Sequence, residues 1–218
     1  MSVITALTPH PRRQGRVDVL VDGKSVGAIS GDAVARLRLS VGTEFEPVRL
    51  AFEAEAAALA TWDAASRLLA ARARSRSELR RQLLRKGEPV VRVDQVLDRL
   101  ERAGYLDDAD YARQFARSRS LVRGMSRRRV QQELAKRGIA REVAEAAIAD
   151  VFAQEGVDEY AAVERLARRK LPSLAKLDPI MRRRRLYAFL ARRGFESDDI
   201  QRVIGALGIE RFGDSAEE

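Results

Sequence analysis

Two apolar residues four positions apart, with a glycine four positions further on, occur three times in this chain: Leu79, Leu83 and Gly87, then Val130, Leu134 and Gly138, then Leu186, Leu190 and Gly194. A spacing of four keeps side chains on one face of a helix, and glycine is the residue that most readily ends a helix in the left-handed conformation. A further apolar pair follows each stop: Val93 and Leu97, Val143 and Ile148, Ile200 and Ile204. The pattern predicts a mainly α fold of three tandem three-helix repeats. Repeats that touch only their neighbours would give an elongated, curved body. The extra spacing before the third copy falls around Leu171 to Pro179, LPSLAKLDP, which carries two prolines.

In the first repeat the 3.6-residue period predicts a helix over Ala54–Ala73 with Leu59, Trp62, Leu68 and Leu69 in the core. Ser75 and Glu78 make an S-x-x-E capping pattern for the second helix, and Val93, Val96, Leu97 and Leu100 mark the third, which Gly104 ends. The repeats are expected at 53–106, 107–156 and 157–212, with a frayed acidic tail at 213–218. Residues 1–52 read differently. Val17, Val19 and Val21 alternate with polar neighbours, Asp22-Gly23 is a turn signal, and Val26 and Ile29 continue in a second run, which together predict a small β-hairpin. Asp32 is placed to cap a short helix carrying Val34, Leu37 and Leu39, with Gly42 as its stop. The stretch before the hairpin, with His10 between Pro9 and Pro11, is expected to be irregular.

Between the first and second repeats the segment GYLDDADYARQF predicts a structural hinge made by Gly104, Tyr105, Leu106, Asp107, Asp110, Tyr111 and Phe115. Gly104 stops one helix, Asp107 caps the next, and Asp110 adds a second carboxylate at its positive end. Tyr111 and Phe115, at i and i+4, are expected as buried rings.

Little here supports catalysis. The chain has no cysteine and one histidine, so no disulfide, thiolate metal site or histidine-dependent triad can form within it. Asp107, Asp108 and Asp110 are explained by the free amides and dipole of a helix start, without a metal. Gly23-Lys24-Ser25 lacks the upstream glycine of a phosphate loop. The expectation is no catalytic residues, no metal and no cofactor. No apolar run resembles a signal peptide or a membrane span, so no membrane contact and a cytoplasmic location are expected.

Charge points to a partner. The formal net charge is +9, and 36 of the 41 basic residues are arginine, the side chain that grips phosphate and carboxylate with two parallel hydrogen bonds. The basic residues cluster on the middle helix of each repeat: Arg80, Arg81, Arg85 and Lys86; Arg127, Arg128, Arg129, Lys136 and Arg137; Arg182, Arg183, Arg184 and Arg185 with Arg192 and Arg193. Stacked repeats would align them into a stripe suited to a phosphate backbone or an acidic groove. Trp62, Tyr111, Phe115, Tyr187 and Phe189 fall at core-like positions, leaving no platform for stacking bases.

SRSELRRQLLRKG at 75–87, DQVLDRLERAGYLDD at 94–108, SRRRVQQELAKRGI at 126–139 and FLARRGFESDDIQRVI at 189–204 resemble successive repeats of the RecX family. The resemblance spans Ala57 to Leu207, although the third repeat has no GYLDD entry. It implies an all-helical body of three three-helix repeats and a regulator that binds the RecA recombinase and its filament on single-stranded DNA. Such a regulator lowers ATP hydrolysis, strand exchange and co-protease activity without being an enzyme. The basic residues named above would then contact RecA or DNA, from a monomer. The alternative is a helical protein acting directly on nucleic acid.

Overall fold

The alternating valines form the central strand of an antiparallel sheet, of order β1-β2-β3, built from β1 (Ile4–Pro9), β2 (Arg16–Val21) and β3 (Lys24–Ser30). The computed structural model describes residues 1–209; the tail expected at 213–218 lies outside them. The chain divides into two compact units, Met1–Arg74 with Leu79–Leu106, and Ser75–Glu78 with Asp107 onward.

In the first unit β2 and β3 turn at Asp22-Gly23, with φ of 48° and 75°. Two successive positive values give the tight turn whose twist matches the flanking strands. The sheet corrects the expected two-stranded hairpin: residues 4–9 pair with 17–21 as a third strand, and His10 lies just past its end. Only Ile4 of that strand is fully buried, so its hydrophobic pattern is nearly silent, and Pro9 fits because the strand is an edge. Ile4, Val19, Val21 and Ile29 pack with Phe45 and Phe52, whose rings meet edge to face at 5.5 Å.

The short helix α1 (Gly31–Arg36) is capped by Ser30, whose hydroxyl accepts from the Ala33 amide at 3.1 Å, and not by Asp32. Its end is also earlier than expected: Arg38, at φ 52°, reverses the chain before Gly42 is reached. Helix α2 (Arg49–Ala71) starts five residues before the expected Ala54. Its fully buried residues are Phe52, Thr61, Ala64 and Ala65, while Leu59, Trp62, Leu68 and Leu69 are half-buried. Small side chains let neighbouring helices approach closely, so the tightest contact falls on alanine and the larger residues flank it. Helix α3 (Arg76–Arg85) and α4 (Val90–Arg102) complete the first repeat around Leu79, Leu83, Val93, Val96, Leu97 and Leu100.

Asp63 of α2 ties that helix to the sheet through ion pairs with Arg13 and Arg16. The Arg16 hydrogen bonds, opposed by burial and assisted by the charges of Arg16, Arg13 and Arg67, hold the Asp63 carboxyl below its ordinary value. Its folded pKa therefore lies below the unfolded one. The stability it contributes is present above the ordinary aspartate range, near pH ~3.9, and is lost as pH falls through the depressed value. Asp63→Asn is expected to cost about 1–3 kcal/mol at neutral pH, read by denaturant unfolding, with the difference from wild type vanishing in acid.

The second unit holds α5 (Asp108–Arg117), α6 (Arg127–Lys136) and α7 (Arg141–Gln154), then α8 (Glu159–Lys170), α9 (Pro179–Ala191) and α10 (Ser197–Ala206). A π-helical turn over Ser118–Val122 extends α5. Val130, Leu134, Leu186 and Leu190 are all fully buried, as are Leu79 and Leu83 in the first unit. The third-helix pairing needs one correction. Ala144, not Val143, is the buried partner of Ile148, which restores the four-residue spacing of Val93 with Leu97 and Ile200 with Ile204.

A recurring seat lies at the ends of the middle helices. The Ser126 amide donates to the Arg193 carbonyl at 3.1 Å, and a Cβ built on Gly194 would stand 2.6 Å from the Arg129 Cβ and 2.7 Å from the Ser126 Oγ. A related arrangement is found at Gly138, where Ser77 fills the space and it is the Ser75 hydroxyl, not an amide, that donates to the preceding carbonyl, of Arg137, at 2.6 Å. Both glycines have positive φ, so backbone angle and neighbouring atoms together exclude a side chain.

Candidate interaction surface

The residues read as a hinge form a helix stop and a helix start. At Gly104, φ is 73°, and the Tyr105 amide donates to the Leu100 carbonyl at 2.9 Å. Leu106 is buried, while Tyr105 is 67% exposed and sets its ring edge-on to Trp62 at 6.1 Å. The border between the two units falls between Leu106 and Asp107. The Asp107 carboxylate accepts from the amides of Ala109 (2.8 Å) and Asp110 (2.9 Å), as an N-cap should. Asp110 accepts from Gln114 at 2.7 Å. Tyr111 and Phe115 stack at 6.2 Å, with Phe115 buried and Tyr111 half-buried. Tyr187, expected in the core, is exposed, with its hydroxyl 3.1 Å from the Ser197 hydroxyl.

The basic clusters sort into engaged and free side chains. On α3, Arg80 makes a two-pronged pair with Asp94 at 2.7 and 3.1 Å. Arg81, Arg85 and Lys86 are exposed and make no ion pair among the described residues. On α6 every predicted cation has a carboxylate. Arg127 reaches Glu159 and lies over the Phe152 ring at 4.4 Å, and Arg128 meets Glu196 at 3.1 Å. Arg129, Lys136 and Arg137 converge on Glu133 at 2.9, 3.5 and 3.2 Å. Around α9, Arg182 donates to the carbonyls of Ala175 and Leu177 at 3.1 and 3.2 Å. Arg183, Arg184, Arg185 and Arg192 have no ion-pair partner among the described residues. Arg193 lies over the Phe189 ring, its guanidinium carbon 3.8 Å from the centroid.

Aligning the middle helices on their glycines shows which cations are equivalent. Arg85, Lys136 and Arg192 share one position, and Lys86, Arg137 and Arg193 share the next. Both lie at helix C-termini, where positive charge offsets the dipole. Arg80 and Arg81 have no cationic counterpart. Sequence reasoning passed over Arg169 and Lys170, which end α8 beside Phe189 and Arg193; the run Arg168-Arg169-Lys170 at a helix C-terminus was the available signal. Among the described residues no three His, Cys, Asp or Glu side chains are grouped to hold a metal ion, and no helix is long and apolar enough to cross a membrane.

Comparison with known proteins places this geometry. Models of the first, second and third three-helix domains of RecX match residues 62–100, 107–148 and 158–204. The chain is 36% identical over 146 residues to the regulatory protein RecX of Pelodictyon phaeoclathratiforme, covering 66% of this chain and 86% of the relative. It is 40% identical over 148 residues to that of Mycobacterium ulcerans, covering 66% and 83%. A crystal structure of regulatory protein RecX superposes with a TM-score of 0.76 at 18% identity, covering 94% of this chain and all of that one. The structure of RecX from Lactobacillus salivarius gives 0.57 at 18% identity over 71% of this chain.

Proposed function

Because the chain belongs to the RecX family of regulatory proteins, we propose that it binds the RecA recombinase, both free and as a filament on single-stranded DNA, and lowers its ATPase, strand-exchange and co-protease activities. It does this without catalysing a reaction, as a cytoplasmic monomer. The observation that carries the reading is family membership over three helical domains, combined with exposed cations that have no carboxylate partner among the described residues, Arg81, Arg85 and Lys86 at the end of α3 and Arg184 and Arg185 on α9. The repeats at 53–106, 107–156 and 157–212 are the contact modules. Several weak charge contacts made together give an affinity that none gives alone, and an acidic groove spanning successive RecA subunits is a fitting partner.

The test is the single-stranded-DNA-dependent ATPase rate of RecA, titrated with this protein. A fall at protein concentrations too low to coat the DNA is the expected result. Reversing Arg81, Arg85 and Lys86 to Glu, which breaks no ion pair among the described residues, should weaken that inhibition at unchanged helicity. An unaltered ATPase beside tight, salt-sensitive binding to bare DNA would replace this reading with direct action on nucleic acid.

A further inference from the structure

We propose that the C-terminal ends of α8 and α9 form a binding site for the phosphate backbone of a nucleic acid, built by Arg169, Lys170, Arg192 and Arg193 around the Phe189 ring. The second repeat shows what this position requires. There Arg129, Lys136 and Arg137 surround the carboxylate of Glu133. On alignment of the helix-ending glycines, their counterparts in the third repeat are Arg185, Arg192 and Arg193, and the counterpart of Glu133 is Phe189. All three cations are kept and the anion at their centre has become a ring.

Two further cations crowd the same place. Lys170 lies 5.5 Å from the Phe189 centroid, with no carboxylate partner among the described residues, and Arg169 is a charged neighbour of Arg193. Arg193 itself is partly buried, its Nε has no hydrogen-bond partner, and its Nη1 reaches only the Phe189 carbonyl at 3.4 Å. Burial first, then the charges of Arg169 and Arg192, push its guanidinium below its ordinary value. A ring face offers a cation much less than an ion does. Like charges crowded around one partly buried guanidinium are stabilised by an anion from outside, which the second repeat carries in its own sequence.

The occupant is a phosphodiester chain because the cations form a row. Arg185 on α9 and Arg192 at its C-cap are seven residues apart, on one face and about 10 Å from each other along the axis, with Phe189 between them. Arginine forks spaced along a helix suit successive phosphates, each with two oxygens to share. The proposal rests on the reading of the chain as a regulator of a nucleoprotein filament, which brings phosphates within its reach.

The test uses the full-length Arg169→Glu/Arg192→Glu variant and a fluorescein-labelled single-stranded oligonucleotide, followed by anisotropy across a salt series. Both side chains are exposed and have no ion-pair partner among the described residues. Affinity should fall at least about tenfold at low salt, and the slope of log K against log salt should become shallower by about 1.4, the loss of two phosphate contacts on a single strand. The melting temperature should hold or rise, since Arg193 gains carboxylate neighbours. Arg12→Glu/Lys24→Glu, the same change of net charge placed in the first unit, should leave affinity nearly intact; an equal loss in this control would overturn the site. So would unchanged oligonucleotide binding by the first variant, including the case where it loses RecA inhibition, which would make the occupant an acidic protein surface. Wild-type protein that binds DNA through this site yet leaves the RecA ATPase unaltered would remove the proposed function and keep the site.

Discussion

Gly194→Ala is expected to lower the melting temperature by about 6–12 °C, on a cost of roughly 3 kcal/mol. Part of the cost is the backbone: φ at Gly194 is 86°, which an alanine adopts only with strain of about 1–2 kcal/mol. The remainder is contact. The new methyl would meet the Arg129 Cβ at 2.6 Å, the Ser126 Oγ at 2.7 Å and the Arg129 amide nitrogen at 3.1 Å. The two Arg129 atoms belong to the first turn of a helix and cannot swing aside, and the Ser126 hydroxyl can rotate away only by giving up the Arg129 amide it caps. Relief requires α6 to move away, which breaks the hydrogen bond from the Ser126 amide to the Arg193 carbonyl. Gly104→Ala is the control, because its φ is 73° but nothing lies within 4 Å of the added atom. Thermal melts followed by circular dichroism separate the two; equal losses would mean that backbone angle alone matters and that the seat is loose.

Glu133→Gln should be nearly as costly, at about 2–3 kcal/mol. The side chain is 18% exposed and is shared by Arg129, Lys136 and Arg137. Burial works to raise the Glu133 carboxyl, but the Arg137 hydrogen bond and the charges of Arg129, Lys136 and Arg137 outweigh it and hold the group below its ordinary value. Its folded pKa is thus lower than the unfolded one. The contribution is complete above the ordinary glutamate range, near pH ~4.3, and disappears as pH falls through the depressed value. Wild type and variant should therefore differ most near neutrality and converge in acid, as read by melting temperature against pH. Loss of the carboxylate also leaves Arg119, already pushed down by burial and by Arg123 and Arg137, among cations alone. The variant should bind a single-stranded oligonucleotide more tightly than wild type, as the third repeat is proposed to do without any mutation.

The framework of the fold was legible because it is written in large apolar side chains. Leu79, Leu83, Val130, Leu134, Leu186 and Leu190 recur at one spacing and are all fully buried. What escaped was written in small or ambiguous residues. Thr61, Ala64 and Ala65 take the tight face of α2, and Ala144 takes a place assigned to valine, since close packing selects for smallness while a hydrophobicity pattern selects for size. The first strand was hidden because an edge strand with one buried side chain has almost no alternation. The basic clusters could be located but not sorted. Whether an arginine is free depends on carboxylates such as Glu159 and Glu196, which arrive from another repeat, and no local pattern announces them. The contrast between Glu133 and Phe189 was present in the sequence and became readable once the helices were aligned on their glycines.

The seat at Gly194 also determines where such a chain can be cut and rejoined. Its two halves lie 68 residues apart, a serine opening one helix and a glycine closing another, so neither repeat owns the joint. A graft that moved the third repeat alone would carry the glycine and leave its serine behind. In this chain a transplanted third repeat is expected to seat only where its new host supplies a serine to meet the glycine, which makes the joint a compatibility code for recombining the modules.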